Sequence, residues 1–129
     1  MKKKILIVIS IYYDDIANGL LKAAISTLNS SKVKYNIIKI PGVFEIPVAI
    51  VKNIDKYDGI VALGCVIKGE TPHFDFISKT TFNAIMNLSI EHKKPIGNGI
   101  ITCLNVSQAL ARSNDDVSQS KNNKGREAV

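Results

Sequence analysis

The chain has two histidines, and one of them, His73, follows Thr71-Pro72 in the stretch LGCVIKGETPHFDF, residues 63 to 76. Threonine is a good helix N-cap and proline fits the first helical position, so this order predicts a helix start. Free N–H groups of the loop around Gly69, Glu70 and Thr71 would then face outward and form an anion site, with the Thr71 hydroxyl contributing. Lys68 could add charge there or simply face solvent. His73 stands at the positive end of the same helix dipole, which favours a neutral, base-competent imidazole; a bound phosphate would push the other way. The alternative is a solvated histidine in a first turn. His92, beside Lys93-Lys94, reads as solvated.

Glu45 is the second residue of chemical interest, because Phe44 and Ile46 flank it in an apolar segment. Two readings stand side by side. It is a carboxylate favoured in a helix first turn, or a buried acceptor for the hydroxyls of a sugar or polyol, costly unless a ligand or neighbour satisfies it. Other chemistries lack their residues. No G-x-x-x-x-G-K-[ST] appears, and no G-x-G-x-x-G follows the first apolar run, so nucleotide hydrolysis and dinucleotide redox chemistry are poorly supported. No carboxylate or histidine cluster suggests a metal site. Cys65 and Cys103 lie in different apolar runs without metal spacing, and read as reduced, buried thiols of a cytosolic protein.

The elements that must hold these residues alternate. KILIVISIY (residues 4–12) is a near-continuous apolar run, typical of a strand covered on both faces. Asp14 or Asp15 can cap a helix carrying Ile16, Leu20, Ala24 and Leu28 and ending at Asn29-Ser30-Ser31. YNIIKI predicts a second strand running into the Pro41-Gly42 turn. FEIPVAIVKNI predicts a helix with Pro47 in its first turn, and GIVALGCVI a third strand. A long helix follows from about Pro72 to His92, with Ile77, Thr81, Ile85 and Leu88 on one face. PIGNGIIT is a fourth strand interrupted by two glycines, and a last helix runs from Asn105 or Ser107 to Arg112.

This alternation predicts an α/β fold: a three-layer α/β/α sandwich around a four-stranded parallel sheet, flavodoxin-like. Ligands of such sheets bind beyond the carboxyl ends of the strands. Five segments are expected there: Tyr12-Tyr13, Val43-Phe44-Glu45, Cys65 to His73, Asn98-Gly99 and the loop after Thr102.

At 129 residues one domain spanning 1–129 is expected, with SNDDVSQSKNNKGREAV (113–129) an irregular tail. The composition, 46% hydrophobic and 22% charged, is that of an ordinary soluble globular protein. A net charge of +6 permits nucleic-acid or membrane-surface binding, but the basic residues are scattered beyond Lys2-Lys3-Lys4 and no nucleic-acid motif is present. A positive field equally suits phosphorylated small substrates. The opening MKKKILIVIS imitates a signal peptide but lacks a small-x-small cleavage site, and no apolar run approaches the ~20 residues of a membrane span.

PGVFEIPVAI, LGCVIKGETPHFDFI and PIGNGIITCLNVSQALAR, in this order, resemble the lumazine synthase family over residues 4 to 112, with a weaker echo in NNKGREAV. The resemblance implies a cytoplasmic transferase of riboflavin biosynthesis. It would condense 5-amino-6-(D-ribitylamino)uracil with 3,4-dihydroxy-2-butanone 4-phosphate to 6,7-dimethyl-8-ribityllumazine, releasing phosphate and water, without metal or redox cofactor. A non-catalytic flavin- or lumazine-binding homologue is the alternative. By position, His73 matches the general acid/base, and Glu70 and Thr71 the phosphate loop. Val43, Phe44 and Glu45 match the segment that binds the ribityl chain and pyrimidine. Cys65, Val66 and Ile67 match the strand end beneath the heterocycle, and Tyr12 the ring stacked on it. Asn98 and Arg112 would reach a neighbouring subunit's site, Arg112 to the phosphate, so the resemblance implies a homopentamer with sites between subunits and neither nucleic acid nor membrane as partner.

This sequence departs from the family pattern in four places. Asn98 stands where an aromatic is usual, and Cys65 where threonine is common. A lysine usually follows the arginine by about eight residues; here Lys124, a candidate phosphate contact, lies twelve residues after Arg112. The family's long terminal helix is expected to be mostly missing, with one covering layer of the sheet. The longer loop before Lys124 predicts a pentamer, or a decamer, rather than a sixty-subunit shell.

Overall fold

Apolar runs too continuous to leave one face in water require a layer on each side, and the computed structural model has that arrangement. It describes residues 3–68, 73–113 and 123–129, with the backbone but not the side chain of His73. The strands are β1 (Lys4–Ser10), β2 (Lys34–Ile40), β3 (Gly59–Ile67) and β4 (Ile96–Cys103). The helices are α1 (Asp14–Ser30), α2 (Ile46–Asn53), α3 (His73–His92), α4 (Val106–Arg112) and α5 (Lys124–Ala128). Short 3-10 turns at Val43–Glu45 and Ile54–Lys56 flank α2. All strand pairs are parallel, in the order β2-β1-β3-β4.

The two central strands alternate sides strictly. Ile7, Ile9, Val61, Leu63 and Cys65 face a core shared with α1 and Ala109 of α4, while Leu6, Val8, Ile60, Ala62 and Val66 face α2 and Ile85 of α3. Leu6, Ile7 and Val8 have no exposed surface, which explains why this run carries no polar alternation. The expected fold class is the observed one. Local differences have physical causes. The N-cap of α1 is Tyr13, not an aspartate; Asp14 and Asp15 instead occupy the first turn, where the helix dipole favours them.

β4 is continuous from Ile96 to Cys103, so its glycines do not interrupt it. Their role lies in packing: a Cβ at Gly97 would collide with the Ala128 carbonyl, and one at Gly99 would stand 3.0 Å from the Ala128 Cβ. Both glycines make room for α5. Within the segment expected to be irregular, the last residues are ordered as this short helix. Residues Lys124–Ala128 are helical and lie against α1 and β4, with Ala128 packed on the α1-side core. The polar sequence concealed this because the contact is made by small residues: a Cβ at Gly125 would collide with the Leu20 carbonyl.

Asn123 fastens this helix. It is completely buried; its Oδ1 accepts from Gly125 N at 2.7 Å and Arg126 N at 3.2 Å, and its Nδ2 donates to the Gly19 carbonyl at 3.2 Å. One side chain therefore caps α5 and ties it to α1 across most of the chain. Asn123→Ala leaves the Gly125 and Arg126 N–H groups without their cap and cuts the tie to the Gly19 carbonyl, and should cost roughly 1–3 kcal/mol. Thermal unfolding should register a midpoint several degrees lower, and an unchanged midpoint would remove the fastening role.

Candidate active site

Beyond the carboxyl ends of β1 and β3 lies a pocket of about 630 Å³, within the range of small-molecule sites. Tyr12 and Tyr13 enter it from the end of β1. Gly42, Val43, Phe44 and Glu45 come from the turn between β2 and α2, and Cys65, Val66 and Ile67 from the end of β3. Phe76, Ile77 and Thr80 of α3 close the remaining wall. Three of the five segments expected at this edge are thus brought together.

A missing side chain in β3 sets the position of the Val43–Glu45 turn. A Cβ at Gly64 would stand 2.9 Å from Val43 Cγ2 and 3.2 Å from Ser10 Cβ, so glycine lets the turn settle onto the sheet. Val43 is then buried as an anchor, while Phe44 and Glu45 stay exposed on the pocket side. Glu45 is the N-cap residue of α2 and makes no side-chain capping bond; it stands in a first helical turn, as one reading expected, and is exposed, not buried as the other expected. Its Oε2 lies 3.0 Å from where a Gly42 Cβ would be, so the carboxylate folds back over the turn. Among the described residues it is the one carboxylate of the lining, which is otherwise apolar and aromatic but for the Thr80 hydroxyl.

The aromatic rim is open. Tyr12 is 75% exposed, Phe44 62% and Phe76 68%, and Tyr12 stands edge-on to Tyr13 with ring centroids 4.9 Å apart. Flat faces and an apolar floor suit a planar heterocycle. The floor is electrically quiet. Burial, the neighbouring Cys103 and a hydrogen bond to Cys103 push the Cys65 thiol up to about 12, and burial, Cys65 and Tyr12 raise the Tyr13 phenol. Neither group ionises near neutral pH, so Cys65 is a wall and not a nucleophile.

Other expected site residues lie elsewhere. Asn98 and Gly99 are not at the carboxyl edge: Asn98 pairs with Ala62 in the amino-terminal half of β4, five residues or about 16 Å before Cys103 at a strand rise. Asn98 is exposed on this edge strand, with its Oδ1 accepting from Ile100 N at 3.0 Å. The strand-break reading of its flanking glycines misplaced it. Arg112 ends α4 outside the pocket lining, with Nη1 donating to Cys103 Sγ at 3.2 Å. Lys124 opens α5 and pairs with Glu127 at 3.4 Å. Glu70, Thr71 and the His73 side chain lie outside the described residues; the α3 backbone begins at His73. Gly42, Phe76 and Thr80 were not singled out from sequence as lining. The signal available was spacing: positions 73, 76, 77 and 80 share one helical face.

An α/β sandwich with a pocket at the carboxyl edge, a neutral apolar floor, aromatic faces and a carboxylate at its rim defines a class of small-molecule-binding protein. Its family is fixed by comparison. The family model for 6,7-dimethyl-8-ribityllumazine synthase matches residues 2–129. Proteins named 6,7-dimethyl-8-ribityllumazine synthase are similar along most of the chain. That of Nitrobacter hamburgensis is 41% identical over 96% of this chain and 78% of its own. Those of Bartonella tribocorum and Bartonella bacilliformis are 44% and 46% identical, over 90% and 94% of this chain and 80% of each relative. The chain belongs to the lumazine synthase family.

The raised Cys65 thiol has two measurable consequences. Native protein at pH 8 should resist iodoacetamide at Cys65, as read by mass spectrometry of the digested protein, with fast alkylation only after denaturation. Because the unfolded thiol ionises near 9.0 and the folded one near 12, the unfolded state alone loses its proton between them. This contribution to stability is full below about pH 9 and lost as the pH rises toward 12. Rapid native labelling of Cys65 would contradict the closed floor.

Proposed function

We propose that this chain condenses 5-amino-6-(D-ribitylamino)uracil with 3,4-dihydroxy-2-butanone 4-phosphate to form 6,7-dimethyl-8-ribityllumazine in riboflavin biosynthesis. The observation that carries this is the convergence of Tyr12, Val43–Glu45 and Cys65–Ile67 on one pocket, in a chain matched by the family model to its last residue. An amino group of the pyrimidine attacks the ketone to give an imine with loss of water. Phosphate is then eliminated, and the ribityl-bearing nitrogen closes the ring with loss of a second water. No electron leaves or enters the pair of substrates.

The residues divide this work. Glu45 accepts from ribityl hydroxyls, and the Val43-Phe44 backbone holds the pyrimidine edge. Tyr12 stacks on the heterocycle above the floor of Cys65, Val66 and Ile67. The loop at Glu70 and Thr71 receives the phosphate, and His73 moves protons during elimination and closure. Arg112 and Asn98 serve a neighbouring chain's pocket, Arg112 at the phosphate, with Lys124 a further candidate there. Much of the rate comes from holding two reactive molecules in register, and proton transfer adds to it.

The chain acts as one domain, as a homopentamer or a decamer of two pentamers, in the cytoplasm. Support for self-association comes from apolar side chains left open in the single chain, among them Ile11, Phe76, Met86, Ile90, Leu104 and Leu110. Among the described residues no helix is long and apolar enough to cross a membrane.

Sized oligomer given both substrates should develop lumazine absorbance and release phosphate in equal amounts. His73→Ala should slow turnover about 100-fold, well short of abolition; an unchanged rate would strip His73 of its role. Glu45→Gln should raise the KM of the ribitylaminopyrimidine about tenfold and leave that of the phosphorylated ketone alone. Light scattering should find particles of five or ten chains, and hollow sixty-subunit shells would refute the assembly.

A further inference from the structure

Arg112 is an exposed arginine with one nitrogen tied down. Its Nη1 donates to the sulfur of Cys103, the last residue of β4, which is 1% exposed. Among the described residues no carboxylate pairs with this guanidinium. The choice of partner matters physically. A carboxylate would hold the fork more strongly, but it would neutralise it and compete with any anion approaching from outside. A thiol sulfur is a weak, uncharged acceptor, so the guanidinium keeps its full charge and its remaining N–H donors. The sulfur still supplies direction, because holding one nitrogen of a rigid planar fork narrows the orientations open to the rest of it.

Cys103 is held in turn from the pocket side. In the β3–β4 register Cys65 pairs with Ile101 and Ile67 with Cys103, which makes the two cysteines diagonal neighbours on one face. Cys65, buried beside it, is close enough for Cys103 to be among the causes that raise the Cys65 thiol. Cys65 also lines the pocket floor. A continuous row of contacts therefore runs from the floor of this chain's own pocket, through Cys103, to the guanidinium of Arg112.

On the reading that Arg112 binds the substrate phosphate, we infer that Cys103 is a positioning residue whose sulfur aims the Arg112 guanidinium at that phosphate without cancelling its charge. Cys103 touches no substrate and acts only through Arg112. Its loss lets the arginine sample other rotamers, so the effect falls on the affinity for the phosphorylated ketone and not on the pyrimidine.

The test compares Cys103→Val, Cys103→Ser and Arg112→Ala, alone and combined, by separate KM values for the two substrates, kcat, and inhibition by inorganic phosphate. Cys103→Val fills the site but accepts no hydrogen bond. It should raise the KM of the phosphorylated ketone about fivefold and weaken phosphate inhibition to match, with the KM of the pyrimidine unmoved. Cys103→Ser, which restores an uncharged acceptor, should return both values to within about twofold of the parent. In the Arg112→Ala background Cys103→Val should add nothing, since the residue through which it acts is gone. Cys103→Ala gives the same comparison should the valine variant melt early. Equal rises in both KM values, or an undiminished effect of Cys103→Val without Arg112, would overturn the positioning role. If Arg112→Ala raises the ketone KM while Cys103→Val leaves it alone, the positioning role falls and the proposed function stands. If Arg112→Ala leaves that KM unchanged, the phosphate assignment falls and takes the positioning role with it.

Discussion

Burial of β1 and β3 on both faces is the constraint from which the site follows. Residues Leu6 to Ile9 and Ile60 to Leu63 meet helices above and below the sheet, so no polar group can enter the middle of these strands without losing its water. Chemistry is driven to the strand ends, where the backbone leaves the sheet and side chains can turn toward solvent. The pocket sits at the one edge where β1 and β3 both finish and the β2–α2 turn crosses over them. Gly64 decides how low that turn can lie. Val43 buries its side chain as the anchor, and the next two residues are thereby presented as ligand-facing groups.

The same constraint explains what the sequence disclosed and what it hid. The continuous apolar runs revealed β1 and β3, with GIVALGCVI matching β3 residue for residue, and shorter broken runs revealed β2 and β4. Glu45 was legible because a carboxylate between Phe44 and Ile46 has no place in a core. What escaped were features whose cause lies far along the chain. Gly97 and Gly99 look like breaks in a strand, and only the approach of Ala128 shows that they are a docking surface. Asn98, read with them as a strand end, was therefore put at the wrong edge. The α5 helix was invisible for the reciprocal reason: its buried contacts are glycine, alanine and asparagine, residues that read as loop. Phe76 and Thr80 were hidden by a helix whose lining and core faces adjoin.

The site built by one chain has a floor, two aromatic walls and a carboxylate, and its described residues provide no strong cation at the pocket lining. The guanidinium of Arg112 is not among the lining groups and is held on Cys103 at 3.2 Å. In the proposed assembly each chain contributes a pocket to one site and an arginine to the next. Catalysis by juxtaposition fits such an arrangement, because two substrates are brought together most simply where two surfaces meet. A neutral floor then serves the chemistry, since a charged group beneath the heterocycle would compete with the proton transfers proposed for His73.

Mixing two differently disabled chains tests this shared-site account most directly. A chain carrying Glu45→Ala keeps its arginine, and one carrying Arg112→Ala keeps its pocket. Co-assembled from a denatured mixture, the two should regain lumazine synthesis at every interface that joins an intact pocket to an intact arginine, well above the average of the separate variants. Activity that stays at that average in verified mixed oligomers would show that each chain completes its own site, and would contradict the account.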